Sequence, residues 1–213
     1  MSYQAVLFDM DGVIVDSEPL HVAAFQTTLT SYGFNLSPDQ YKEHFAGRTD
    51  EAGFKRYFDF IGETVELPVI MDKKAKAYLA LAADELKPYP GVIECIQDLV
   101  KRNIQLALVT GSLQLEAEIT LKAFDLTDHF SAIIAAEDVE YGKPDPEGYL
   151  KGAQALGMAP ADCIVIEDSP KGVQAAKAAG IRCLAVTNTH TNEELADATH
   201  IVDQLKPDYL RAL

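Results

Sequence analysis

The chain has 213 residues, 48% of them apolar and 24% charged, which are the proportions of a soluble globular protein with a sizeable core. Its 18 Lys and Arg face 33 Asp and Glu. The resulting net charge of −15 repels nucleic acid and anionic membrane and obliges an anionic substrate to find a local positive site. No apolar run approaches the ~20 residues of a membrane span, and the first strand begins almost at once, so no signal peptide and a cytoplasmic location are expected. Cys95, Cys163 and Cys183 are odd in number and lack C-x-x-C spacing, as expected of buried thiols in a reducing compartment.

The first predicted element is a strand over the apolar run Ala5-Val6-Leu7-Phe8, too brief for a helix and bounded by Gly12. Asp9 and Asp11 follow it, and in regular extension they would share a face. Two carboxylates that close repel each other, which a divalent cation or a shared proton would offset. The pattern then turns helical. Helices are predicted over about 20–32, from the Ser37 cap and Pro38 to 45, over 51–61 with Thr49 or Asp50 as cap, and over 68–86. Pro88, Pro90 and Gly91 mark a linker.

Beyond it helices and strands alternate. Helices are predicted over 92–102, 114–124, 146–156 and 172–179, and strands over 105–109, 132–136, 163–166, 182–186 and near 201. Such alternation predicts the α/β class: a Rossmann-like parallel sheet covered by helices, formed by residues 1–15 and 87–213. Residues 16–86 are then an inserted α-helical cap domain.

Parallel strands deliver their C-terminal residues to one edge, where ligands bind near the switch in strand order. The first strand brings Asp9 and Asp11 there. The 105–109 strand brings Thr110-Gly111-Ser112, a hydroxyl, a glycine and a helix N-terminus suited to an anion. The loop Tyr141-Gly142-Lys143-Pro144-Asp145-Pro146 holds Lys143 between prolines. The 163–166 strand ends in Glu167-Asp168, which are poor core residues and good hard-cation ligands. Together these fit phosphoryl transfer. Aspartate, ionised at neutral pH at its reference value, can attack phosphorus without a base. Mg²⁺ suits Asp9, Asp168 and Glu167, while Thr110, Gly111, Ser112 and Lys143 would hold phosphate oxygens. Asp11 is left to protonate the leaving alcohol and later to take a proton from water.

Asp9-Met-Asp11-Gly-Val-Ile-Val-Asp16, Thr110-Gly-Ser112, Lys143-Pro-Asp-Pro and Ile166-Glu167-Asp168-Ser-Pro-Lys-Gly172 resemble, in order, the four motifs of the haloacid dehalogenase superfamily. The helical insert resembles the β-phosphoglucomutase-like subgroup, which also contains sugar-phosphate phosphatases. The resemblance implies Asp9 as nucleophile and Asp11 as general acid/base. It also implies metal ligation by the Asp9 carboxylate, the Asp11 backbone carbonyl and Asp168, with Glu167 in or beside that shell. Asp11 sets the chain apart from the dehalogenase and phosphonatase branches.

In the insert, His21, Lys74 and Gly47-Arg48-Thr49 resemble the subgroup's substrate-facing cap positions. Lys73 and Lys76 offer the competing view of Lys74 as one of a solvated basic face. The mutase pattern has arginine where this chain has Asp50, so an anion is expected near any second phosphate site, with Arg48 or Lys74 as its possible ligand. The expected protein is a Mg²⁺-dependent phosphatase of a small phosphorylated metabolite, a sugar phosphate first among them, acting as a monomer or weak dimer. The alternatives are a β-phosphoglucomutase and a catalytically silent phosphometabolite-binding protein.

Overall fold

The computed structural model describes residues 3–46 and 48–213, apart from the side chains of residues 83 and 84. Strand β1 (Ala5–Phe8) is followed by four helices, α1 (Glu18–Thr30), α2 (Pro38–His44), α3 (Asp50–Ile61) and α4 (Leu67–Glu85). Alternation then begins with α5 (Val92–Lys101), β2 (Gln105–Val109), α6 (Gln114–Ala123), β3 (Ala132–Ile134), α7 (Glu147–Ala155) and β4 (Cys163–Glu167). It ends with α8 (Pro170–Ala178), β5 (Arg182–Val186), β6 (His200–Val202) and α9 (Pro207–Ala212).

The strands form one parallel sheet in the order β3-β2-β1-β4-β5-β6, the α/β architecture expected from the sequence. Strand β1 is central, so all four of its residues are buried, which is why it reads as an unbroken apolar run. Ala5, Leu7, Ala107, Val109 and Val165 alternate onto one face against Tyr149 and Ala153 of α7 and Val173 and Ala176 of α8. On the opposite face Phe8 meets Phe130 edge-on, with ring centroids 5.9 Å apart. Each such fully buried side chain contributes about 1.5–3 kcal/mol over exposure, which holds the strand ends in place.

Register fixes what the edge presents. Phe8 lies opposite both Leu108 and Ile166, so Asp9, Val109 and Glu167 leave the sheet side by side. The Asp9 N–H continues the ladder to the Ile166 carbonyl at 3.0 Å. Strand β4 runs one residue beyond expectation, into Glu167, and β3 stops at Ile134, where a 3₁₀ turn over Ala136–Asp138 takes over. Helix α8 starts at Pro170, ahead of the expected 172, because the Ser169 hydroxyl caps it by accepting from Gly172 N at 3.1 Å. Helix α9 was not expected. It is only six residues long, and the Tyr3 hydroxyl donates to its Leu210 carbonyl at 2.5 Å.

Glu18–Leu86 form a second compact unit. Its core is aromatic, with Phe25, Tyr41, Phe45, Phe54, Tyr57 and Phe58 packed around Leu29, Leu36 and Ile70. Helix α2 opens with a reciprocal capping box between Ser37 and Gln40, and α3 opens on Thr49, whose hydroxyl accepts from Ala52 N at 3.3 Å. No helix among the described residues is long and apolar enough to cross a membrane. The three cysteines are free and buried, and burial pushes the Cys163 thiol up to about 11.

Candidate active site

Three buried carboxylates and one half-buried ammonium meet where β1, β2 and β4 end. Asp9, Glu167 and Asp168 each offer an oxygen within 4.8 Å of the others. Lys143 Nζ lies 2.8 Å from Asp9 Oδ1, 2.7 Å from Glu167 Oε1 and 3.2 Å from the Val109 carbonyl. An ammonium has three N–H groups, and three acceptors meet them. Lys143 thus bridges the Asp9 and Glu167 carboxylates and the end of β2.

Glu167 is fully buried, and both of its oxygens are engaged. Oε1 accepts from Lys143 and, at 2.8 Å, from the Tyr149 hydroxyl. Oε2 accepts from the Asp168 and Ser169 backbone N–H groups, both at 2.9 Å, and from the Ser169 hydroxyl at 3.0 Å. It lies against Gly172, where a Cβ would overlap Oε1. Gly12, at φ +82°, plays the same part for Asp168, since a Cβ there would overlap Oδ2.

The electrostatics follow from this count. Burial would lower the Lys143 pKa, but the Asp9 and Glu167 charges outweigh it and hold the ammonium above its ordinary value. Burial would raise Glu167, yet Lys143, the Ser169 N–H and Tyr149 hold its carboxyl below the ordinary range. Asp9 has the opposite fate: burial and then the Glu167 charge push it well above the ordinary range, with Lys143 only partly opposing. Burial and the Glu167 charge also push Asp168 up to about 7. Asp9, at the end of the central strand, is thus desolvated among like charges, and its ionisation calls for a further positive charge. Two such charges at 4–5 Å repel by about 3–4 kcal/mol at an effective dielectric of 20, so one lysine leaves the cluster a cation short.

Asp11 does not share a face with Asp9 in regular extension, because β1 ends at Phe8 and the chain turns through Gly12. The Ser17 hydroxyl donates to Asp11 Oδ1, and the Ser112 hydroxyl donates to Oδ2 at 2.6 Å. Ser112, expected on phosphate, instead orients Asp11. Three backbone N–H groups at the start of α6 have side-chain acceptors. Ser112 N donates to Thr110 Oγ1 at 3.0 Å, Leu113 N to Glu116 at 3.3 Å and Gln114 N to Glu137 at 3.0 Å. Thr110 is buried beside Gly111, with its hydroxyl oxygen accepting and its proton still to be donated.

In the helical unit Lys74 is 1% exposed, which rejects the solvated basic face. Its Nζ lies 2.9 Å from Asp50 Oδ2 and 2.9 Å from His21 Nδ1, and over the rings of Phe25 and Tyr78. His21 stacks on Tyr78 with centroids 4.3 Å apart, and accepting from Lys74 places its ring proton on Nε2. Thr49 is occupied as the α3 cap, and Arg48 Nη1 donates to the Ala46 carbonyl at 3.1 Å. Gly47 lies outside the described residues. Sequence reasoning gave no role to Ser17, Tyr149, Asn188, Thr189 or His190. Tyr149, Asn188 and Thr189 meet partners in other segments of the chain, and Ser17 reaches Asp11 only because the chain turns at Gly12, so no local pattern marks them.

A parallel sheet whose central first strand ends in Asp9, and whose neighbours deliver Thr110, Lys143, Glu167 and Asp168, has the core of a haloacid dehalogenase-like enzyme. The chain belongs to that family: it matches the haloacid dehalogenase-like hydrolases over residues 6–186. It is 34% identical over 178 residues to a phosphorylated carbohydrates phosphatase of Thermotoga maritima, covering 84% of this chain and 82% of that one. A fructose-1-phosphate phosphatase of Escherichia coli is 30% identical, covering 86% and 96%. Among solved structures, a β-phosphoglucomutase from Clostridium difficile aligns with a TM-score of 0.82 at 25% identity, covering 99% and 96%.

Proposed function

We infer that this hydrolase is a Mg²⁺-dependent phosphatase of small phosphorylated metabolites, a sugar phosphate first among them, working through an aspartyl phosphate on Asp9. The observation that carries this reading is the charge imbalance around Asp9, three buried carboxylates against Lys143. The phosphatases among its relatives support it.

The residues present fit a hard divalent cation, given the oxygen donors of Asp9 and Asp168, the Gly12 notch that admits Asp168, and the excess negative charge. Asp9, Asp168 and the Asp11 carbonyl would hold Mg²⁺, which would neutralise that charge and polarise phosphoryl oxygens. Glu167, with both oxygens engaged, serves by holding Lys143. Asp9 Oδ1 is fixed by Lys143 and by the Met10 N–H at 2.8 Å, which leaves Oδ2 to attack phosphorus. As that P–O bond forms, the bond to the sugar oxygen breaks and Asp11 gives its proton to the leaving alkoxide. Asp11 then takes a proton from the water that attacks phosphorus, and Asp9 is released with inorganic phosphate. The Ser17 and Ser112 hydroxyls keep Asp11 aimed through both steps. Thr110 would donate to an equatorial phosphate oxygen.

The helical unit, spliced in directly after the segment bearing both aspartates, is read as the cap that selects the substrate. The mutase reading has the Clostridium difficile structure in its favour. Against it stands the Asp50–Lys74 pair, which neutralises the cation best suited to a second phosphate.

The test is phosphate release across a panel of sugar monophosphates with Mg²⁺, beside a coupled assay for glucose 6-phosphate formed from β-glucose 1-phosphate. Release from several monophosphates, abolished in Asp9→Asn, is expected. More than a few per cent of wild-type rate in Asp9→Asn would overturn the covalent mechanism. Efficient isomerisation with negligible release would promote the mutase.

A further inference from the structure

The loop after β5, residues 187–191, belongs to none of the motifs above, yet it reaches two of the segments that form the site. Asn188 Nδ2 donates to the Gly12 carbonyl at 2.7 Å. The Thr189 hydroxyl donates to Asp168 Oδ2, and His190 Nδ1 lies 3.0 Å from the Asp168 carbonyl and 2.8 Å from Thr189 Oγ1. A hydroxyl carries one proton. With that proton on Asp168, Thr189 Oγ1 must accept, so His190 Nδ1 is the donor and the three groups form one ordered chain.

The loop is mounted firmly at both ends. Thr187 N donates to the Val202 carbonyl of β6 at 3.0 Å. Thr191 N donates to Glu194 Oε2 at 2.9 Å, and the neighbouring Leu195 is fully buried. It therefore spans the end of β4 and the turn after β1 from a fixed base.

We propose that Asn188 and Thr189 are positioning residues for the reaction: Thr189 occupies Asp168 Oδ2 and so assigns Oδ1 to the cation, while Asn188 holds the Asp11–Gly12 turn in register with it. The Gly12 notch makes the two bonds interdependent. Asp168 Oδ2 fits between the Gly12 backbone and the Thr189 hydroxyl, so a shift of either wall frees the carboxylate to rotate. A freely rotating carboxylate must be ordered when the cation binds, and that cost falls on affinity. This inference rests on the cation site read above.

The experiment measures Mn²⁺ binding to the full-length protein by electron paramagnetic resonance, with Mg²⁺ as competitor, together with the melting temperature of each metal-free variant. Thr189→Val is expected to weaken Mn²⁺ binding about 10- to 100-fold, as loss of a ligand-orienting hydrogen bond does at other sites. Thr189→Ser, which keeps the hydroxyl, is expected to restore most of it, and Asn188→Ala is expected to weaken binding less than Thr189→Val. The metal-free melting temperature of Thr189→Val is expected to match that of wild type, since the side chain is solvent-exposed. Wild-type Mn²⁺ affinity in Thr189→Val would overturn the assignment while leaving the cation site intact. Wild-type protein that binds no Mn²⁺ would overturn both.

Discussion

Two lysines, Lys74 buried and Lys143 half-buried, differ in how their charge is met. Lys74, in the helical unit, has one carboxylate, one neutral imidazole and two aromatic faces, so its surroundings balance. Lys143, at the sheet edge, faces two carboxylates directly and a third nearby, so its surroundings carry excess negative charge. Balance is what a folding element needs and nothing more. An imbalance kept at the expense of stability marks a place where something else is to bind.

Truncating each lysine tests this contrast most severely. Lys143→Met leaves Glu167 and Asp9 without their counter-charge in a buried site, so a loss of about 3–5 kcal/mol is expected, with turnover at background. Lys74→Met leaves Asp50, whose side chain is 34% exposed and able to rehydrate. Roughly 1–2 kcal/mol is expected there, with turnover and metal requirement retained. Urea unfolding and phosphate release on both variants would check the pair. Equal losses in stability and in turnover would erase the distinction.

The next effect is on pH. Asp168 is pushed up to about 7 in the folded protein and sits near 4 when unfolded. Below pH 4 it is protonated in both states and contributes no penalty. As pH rises from about 4 to 7 the unfolded state ionises first, so the metal-free fold loses stability, up to a few kcal/mol. Burial and like charge push Asp9 in the same direction, whereas Glu167, held low, opposes the trend only while its unfolded form ionises, at the lower end of this window. Saturating Mg²⁺ should cancel this slope, and the shift it produces in melting temperature should grow between pH 5 and 8. Asp168→Asn should flatten the metal-free curve. A metal-free melting temperature that rises across this window would contradict the excess negative charge described around Lys143.

The smallest effect belongs to the balanced site. Asp50→Asn removes the counter-charge from Lys74, and KM for a bisphosphorylated sugar is expected to fall about 2- to 5-fold relative to a monophosphate. An unchanged ratio would place Lys74 outside substrate recognition.

Most of the sheet was legible because its signals are local. An apolar run of four or five residues ending in Asp9 or Glu167 announces itself, and β2 and β5 fell where expected. Asp9 and Asp168 stood out because each follows a strand, and Lys143 because prolines follow it in its loop. What the sequence hid was the allocation of hydrogen bonds. Ser112 passes its proton to Asp11, 101 positions earlier in the chain, and Lys143 gives all three of its protons to acceptors from three segments. Lys74 was illegible for the opposite reason. Its exposed neighbours Lys73 and Lys76 suggest a wet face, and only the packing of α1 against α4 buries it.

The floor of the site is built from backbone as much as from side chains. Because Asp168 fits against Gly12 and Glu167 against Gly172, even a methyl group at either glycine would displace a carboxylate. Directed evolution toward a new phosphorylated substrate therefore has little room at these two positions. Libraries that randomise Gly12 or Gly172 should return almost only the parental codon, whatever substrate is selected for, while variation around His21, Asp50 and Lys74 stays open to selection. If the helical unit selects the substrate as proposed, chemistry and substrate choice are written in separate stretches of the gene and can be rewritten separately.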